Sequence, residues 1–218
     1  QYWLDQARRS QDQYGWHGVF LDNVEASLEK RLLYGALPQK YPDDTAYQAA
    51  VEENLRFLFS TYFQPSGIPL LANIISLEDP AIWFRYLQYL DGAMLENFAV
   101  DWNSGYLEPA EWETQLMIAE QTQALSKEII LVSQGSEFDQ DRQLFAFSSY
   151  LLINNGRAYF RYSNAQFYDQ NWLYSNYQVQ LGQPLGPRYQ INDSWIRDFE
   201  NGTVTVNPYA YTAAIDLH

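Results

Sequence analysis

The sequence predicts an α/β protein with a β-rich tail, on three observations. Five apolar segments of strand length recur along residues 18–163, the intervals between them have helical texture, and helical periodicity stops near residue 164. Continuous apolar strands separated by helices imply a parallel sheet covered on both faces. At 218 residues and 47% hydrophobic content, the chain has enough apolar side chain to fill a core.

In chain order, a helical stretch, YWLDQARRSQDQYG, leads into the first strand, GVFLD (18–22). In TAYQAAVEENLRFLFSTYF, Ala49, Ala50, Leu55, Leu58 and Phe59 fall near helical spacing, and PDDT ahead of it supplies capping acids. The second strand is IPLLAN (68–73). Pro80 then opens the helix PAIWFRYLQYL, ahead of the third strand, GAMLEN (92–97). Pro109 opens PAEWETQLMIAEQTQALSKE, as suits a first helical turn. IILVSQ (129–134) is the fourth strand, and DQDRQLFAFSSYLLINNG ends on Asn155 and Gly156, a left-handed stop before the fifth strand, AYFRYS (158–163). Beyond 164, short alternating segments punctuated by Gly, Pro and Asn predict antiparallel strands, and RDFENGTVTVNP reads as a hairpin turning on Asn201–Gly202.

Parallel strands of this kind belong to an open doubly wound sheet or to a closed eightfold barrel. No G-x-G-x-x-G or Walker pattern follows any of the strands, so the phosphate turn of a nucleotide-binding open sheet is missing. A complete (β/α)8 TIM barrel takes about 250 residues and eight strands. The expectation is therefore the later part of such a barrel, with residues 1–163 as the partial barrel and 164–218 as a small antiparallel β appendage. An upstream part of the same polypeptide is then an expected partner.

Composition narrows the function. A net charge of −14 leaves no basic stripe for a phosphate backbone, which argues against nucleic acid. No apolar run reaches the roughly 18 residues of a membrane span, and the N-terminal residues lack the layout of a signal peptide. With no cysteine there is neither a disulfide nor a thiolate. Of the two histidines, His17 precedes its strand and His218 is terminal, so a catalytic triad lacks its base and a zinc site is short of ligands. No metal or cofactor is expected. Aromatic residues make up 17% of the chain, with 18 Tyr and 7 Trp. Their flat apolar faces with polar handles suit sugars, although most such rings belong in cores.

Asp22 and Glu96 close the first and third strands, at the carboxyl ends where barrel enzymes build their active sites. On alternating strands, the two acids would face each other across the mouth, as two-carboxylate glycoside hydrolysis requires. Asp22–Asn23 also fits turn and cap chemistry. Glutamate is a weak cap, so the structural alternative for Glu96 is an ion pair with Arg161. The other strand ends supply hydroxyl-binding groups: Asn73, Gln134, Arg161 and Tyr162, with Asn23 and Asn97 flanking the acids. The loop NFAVDWNSGY adds Asp101 and Trp102, whose ring can stack on a sugar face. A sugar-phosphate site would need a glycine-bearing loop, which RYSNAQFYDQ does not provide.

Three segments, WHGVFLDNVE, DGAMLENF and LGQPLGPRY…WIRDFENGTVTVNP, together resemble the barrel-type glycoside hydrolases distantly similar to endo-α-1,4-polygalactosaminidase. The likeness spans most of the chain. FLDN is weakly specific, whereas the ordered acidic strand ends with the RxFxNGxVxVNP tail are more so. The resemblance implies a barrel with a small C-terminal β domain and cleavage of a polysaccharide, often by exported bacterial enzymes, hence a secreted or cell-surface bacterial location. By the same analogy Asp22 matches the acid of the fourth barrel strand and Glu96 that of the sixth, while the first three βα units have no counterpart here. The expected protein is a glycosidase with Asp22 as nucleophile or general base and Glu96 as general acid/base. The expected substrate contacts are Asn23, Asn73, Asn97, Asp101, Trp102, Gln134, Arg161 and Tyr162. The alternative is a non-catalytic carbohydrate-binding or scaffold protein on the same fold.

Overall fold

The computed structural model describes residues 2–33, 35, 38–75, 79–102 and 105–218. Helices and parallel strands alternate: α1 (Tyr2–Tyr14), β1 (Val19–Glu25), α2 (Glu29–Leu33), α3 (Asp44–Leu58), α4 (Gln64–Ser66), β2 (Leu70–Ile75), α5 (Pro80–Leu87), β3 (Gly92–Glu96), α6 (Pro109–Ala124), β4 (Glu128–Gln134), α7 (Gln140–Ile153) and β5 (Ala158–Ser163). A second run of strands follows: β6 (Tyr189–Ile191), β7 (Ser194–Phe199), β8 (Gly202–Asn207) and β9 (Thr212–Leu217). The strands form a five-stranded parallel sheet in the order β1-β2-β3-β4-β5 and a four-stranded antiparallel sheet in the order β6-β7-β8-β9. The chain divides into two compact units, Gln1–Met94 and Leu95–His218. Among the described residues no helix is long and apolar enough to cross a membrane.

In the first unit the cap expected from PDDT forms, and Asp79 adds one that the sequence reading did not name. Asp43 accepts from the Ala46 amide at 2.8 Å to start α3, and Asp79 accepts from the Ala81 amide at 2.9 Å to start α5, with Pro80 in the first turn. Asp91 accepts from the Leu70 amide at 2.9 Å, fixing the start of β2. Leu55 and Leu58 of α3, Ala72 and Ile74 of β2, and Trp83 and Leu87 of α5 are buried as its core. The first strand departs from expectation: β1 does not stop at Asp22 but runs to Glu25. Its pairing with β2 shifts register between Leu21 and Val24, and Asn23 takes a left-handed φ of 53°. Burial of Val24 and Ala26 draws the chain onward after this bulge, so Asp22 sits within the strand at its irregular point.

In the second unit, α6 and α7 join through the Trp112 indole N–H, which donates to Ser149 Oγ at 2.9 Å, both residues being buried. The antiparallel sheet lies against α7. Its buried Arg197 donates to the carbonyls of Leu151 (3.1 Å) and Asn154 (2.8 Å) and to Asn155 Oδ1 (2.6 Å), satisfying carbonyls at the end of the helix. Arg188 ties the sheet to α6, bonding Glu113 and Glu120 at 2.7–3.0 Å while its guanidinium lies 4.0 Å from the Trp195 ring centroid.

The predicted hairpin joins β7 to β8, but its turn lies one residue earlier than the sequence suggested. Phe199 pairs with Gly202, which leaves Glu200 and Asn201 as the turn residues. Gly202 is required by close approach, because a Cβ there would strike the Asp216 carbonyl oxygen of β9 and the Leu181 side chain. Gly202→Ala is expected to lower the unfolding free energy by about 2 kcal/mol through overpacking, measured by urea denaturation. An unchanged midpoint would contradict this account of the glycine.

Candidate functional site

Within the first unit, Asp22 lies exposed on the bulge of β1 and is fixed by amide donors. The Asn23 backbone N–H donates to its Oδ1 at 2.9 Å and Asn23 Nδ2 to its Oδ2 at 3.1 Å. Asn73, buried on the neighbouring β2, donates from Nδ2 to Asp22 Oδ1 at 3.3 Å. The left-handed Asn23 permits the first two contacts, since it turns both donors back onto the preceding carboxylate. Three of the sequence-predicted residues thus meet in one cluster. It borders a cavity of about 510 Å³ whose lining includes Trp3, Tyr47, Asn54 and Phe57 as well as Asp22 and Asn23.

Within the second unit, Glu96 ends β3 half-buried, and Gln134 ends β4 buried. A residue that sequence reasoning missed joins them. Gln134 Nε2 donates to Tyr168 Oη at 2.7 Å, and Tyr168 Oη donates to Glu96 Oε1 at 2.6 Å. Tyr168 lies beyond β5 in the loop segment AQFYDQ, where a ring among amides has no periodicity to announce it. Arg161 of β5 serves that loop, donating from Nη2 to the carbonyls of Tyr168 and Gln170. The chain of donors runs toward the carboxylate, an arrangement that stabilises its charge and fixes its plane.

The loop after β3 is anchored by a second missed residue. Arg142, on α7 and only 1% exposed, donates from Nε to the Gln134 carbonyl at 2.8 Å, from Nη2 to the Asp101 carbonyl at 2.6 Å, and from Nη1 to the Gly105 carbonyl. It also pairs with Asp101 Oδ1 at 3.3 Å, and that oxygen accepts from the Gly105 amide at 3.0 Å. Asp101 is therefore a loop-building residue, while the neighbouring Trp102 remains 47% exposed.

Asn97 and Tyr162 are placed less openly than the sequence suggested. Asn97 is buried with a left-handed φ of 59°, and its carbonyl accepts from Gln115 Nε2 at 3.4 Å. Tyr162 is buried among Trp172 and Tyr174, with its hydroxyl against Gly135. Burial pushes its phenol pKa well above the ordinary value, so it is neutral at any physiological pH. Hence Glu96, Gln134 and Tyr168 make up the polar cluster of this unit, with Arg161 and Arg142 holding its loops.

In comparison with known proteins, the sequence model of the family described as "Hypothetical glycosyl hydrolase family 15" matches residues 1–203. No curated protein matches the chain.

Proposed function

Because the chain belongs to hypothetical glycosyl hydrolase family 15, we propose that it hydrolyses a glycosidic bond in an oligo- or polysaccharide, with Glu96 as general acid/base and Asp22 as nucleophile or general base. The reading treats the parallel strands as those of a (β/α) barrel, whose carboxyl-terminal face is the catalytic one. The observation that carries it is the short hydrogen bond from Tyr168 to Glu96, backed by Gln134. A carboxyl group at a strand end, oriented by a donor that itself has a donor, is suited to giving and retaking one proton along a fixed direction.

In the bond-breaking step Glu96, protonated, gives its proton to the glycosidic oxygen as the bond to the anomeric carbon breaks. Tyr168 then stabilises the carboxylate left behind, which afterwards accepts a proton from water. The carboxylate of Asp22, held by Asn23 and Asn73, supplies the second acid's function, either by attacking the anomeric carbon to form a glycosyl ester that water, deprotonated by Glu96, then cleaves, or by itself deprotonating the attacking water. Asn23, Asn73, Gln134 and Trp102 are proposed to border the bound sugar. An α-1,4-linked galactosamine polymer is the first substrate to test, because it follows from the sequence resemblance. Neutral polysaccharides are the comparison.

Tyr168→Phe removes one hydrogen bond to an ionised group and little volume. It is expected to lower kcat about tenfold, the scale of such a bond, with KM within about twofold and the melting temperature unchanged. A kcat equal to that of the parent would remove Tyr168 from the mechanism.

A further inference from the structure

We infer that Ser163, at the end of β5, is a positioning residue for Glu96, acting through a buried water that holds the Gln134 amide. The inference deepens the proposed glycosidase reading and rests on it for the role of Glu96. β4 and β5 pair without interruption from Ile129 with Ala158 to Gln134 with Ser163, and the Gly135 amide carries the pairing on by donating to the Ser163 carbonyl at 3.1 Å. Register partners project from the same face of a sheet, so the Gln134 and Ser163 side chains stand side by side. Arg161, two residues before Ser163, shares that face. Gln134 bonds the Tyr168 hydroxyl and Arg161 the Tyr168 carbonyl, so this is the face that Tyr168 covers.

Hydrogen bonding along this face leaves two atoms over. Glu96, as a carboxylate, only accepts, and it takes the single proton of the Tyr168 hydroxyl. The 2.7 Å contact between the Gln134 amide and Tyr168 Oη must then be an N–H donated by the amide, which leaves Gln134 Oε1 directed elsewhere. Among the described residues neither Gln134 Oε1 nor Ser163 Oγ has a hydrogen-bond partner, although both residues are 0% exposed. A buried acceptor in that state is costly, and the two side chains form no direct bond with each other. One molecule between them satisfies both, donating to Gln134 Oε1 and accepting from Ser163 Oγ. Two polar partners are the minimum that a buried water needs. Full enclosure of both residues selects water over a sugar hydroxyl, which would arrive with its ring.

The water matters to Glu96 because a glutamine amide can turn over. With Oε1 held by the water, Nε2 stays on Tyr168 and the phenol proton stays on Glu96 Oε1. When Glu96 takes up a proton for the bond-breaking step, that proton therefore sits on Oε2, and Oε2 gives it to the glycosidic oxygen. Oε1 keeps the Tyr168 hydrogen bond before and after the transfer, so the relay needs no rearrangement within a turnover. Without the water, nothing on the Ser163 side opposes the turn that presents Gln134 Oε1 to Tyr168. The phenol proton is then shared between Gln134 and Glu96, and the protonated carboxyl loses its preferred oxygen.

The test compares the parent, Ser163→Ala and Ser163→Thr by crystal structure and by kinetics on the α-1,4-linked galactosamine polymer and neutral polysaccharides. In the parent a solvent peak is expected within about 2.7–3.2 Å of both Gln134 Oε1 and Ser163 Oγ, the range of a hydrogen bond. The alanine variant should lose that peak and the threonine variant, which keeps the hydroxyl, should retain it. Ser163→Ala should lower kcat roughly three- to tenfold with KM within about twofold, the scale of one hydrogen bond, and threonine should restore it. In a Tyr168→Phe background Ser163→Ala should lower kcat no further, because the relay is already cut. A merely structural serine would not show that dependence. Solvent that fails to touch both oxygens, a parental kcat in Ser163→Ala, or a full additional loss in the Tyr168→Phe background each overturns the inference. The two readings fail separately. A parent that cleaves no glycoside, yet holds the water and loses it in Ser163→Ala, sinks the hydrolytic reading and upholds the Ser163–Gln134 link. An active parent whose kcat survives Ser163→Ala sinks the positioning role alone.

Discussion

Glu96→Gln is expected to lower polysaccharide turnover at least a hundredfold, the scale on which acid or base catalysis is lost. The substitution is chosen because it preserves almost everything else. The glutamine Oε1 accepts the Tyr168 hydroxyl proton as the carboxylate does, so the Gln134–Tyr168 chain keeps its geometry. The amide can neither donate an acidic proton to the leaving oxygen nor take one back from water, and it carries no charge. An aryl glycoside with a nitrophenolate leaving group needs less protonation, so its rate should fall less steeply than that on the natural polymer. This asymmetry distinguishes a lost acid from a disturbed fold, which would lower both rates together. Equal turnover by parent and variant would remove Glu96 from the chemistry and with it the assignment of Asp22 as its partner.

The strand pattern was legible because burial on both faces leaves an uninterrupted apolar run. The second to fifth strands therefore fall within two residues of their predicted limits, and Pro80 and Pro109 open their helices as expected. The end of β1 was not legible. FLDNVE reads as a strand followed by a turn, since Asp-Asn is turn chemistry, and only pairing with β2 shows that the chain bulges and continues. The hairpin at 199–202 shows the same limit, because Asn-Gly signals a turn but cannot reveal that the glycine is needed against Asp216.

At the site the strand-end residues were legible, and their partners were not. Arg161 is adjacent to the other polar groups in the alternating pattern, which made an ion pair with Glu96 the natural structural alternative. Instead its guanidinium serves carbonyls of the loop beyond β5, a destination that no local pattern encodes. Arg142 follows Asp139 and Asp141 in a helical stretch and reads as one charge on a solvated face. Its burial depends on a loop some 40 residues earlier folding over it, which is a tertiary event.

Arg142→Met should cost about 3–5 kcal/mol of stability, the scale of removing one partner from a buried, charged network. Methionine fills much of the aliphatic volume but donates nothing. The carbonyls of Gln134, Asp101 and Gly105 then lose the donors that replaced water when they were covered, at about 1–3 kcal/mol for each that stays dry. For a protein of this length a loss of this size lowers the melting temperature by about 10 °C. Arg142→Lys keeps the charge but not the planar fork that reaches several carbonyls, so it should recover only part of the loss. A fully stable lysine variant would show that charge, not geometry, is what the loop requires. The network also predicts coupling. Arg142 fixes the backbone oxygen of the same glutamine whose side chain orients Tyr168, so Arg142→Met and Tyr168→Phe act on one chain of contacts ending at Glu96. Their effects on kcat should therefore combine to less than the product of the single changes, by a coupling energy above about 0.5 kcal/mol. Strict additivity would mean that the buried arginine supports the loop alone and leaves the carboxylate untouched.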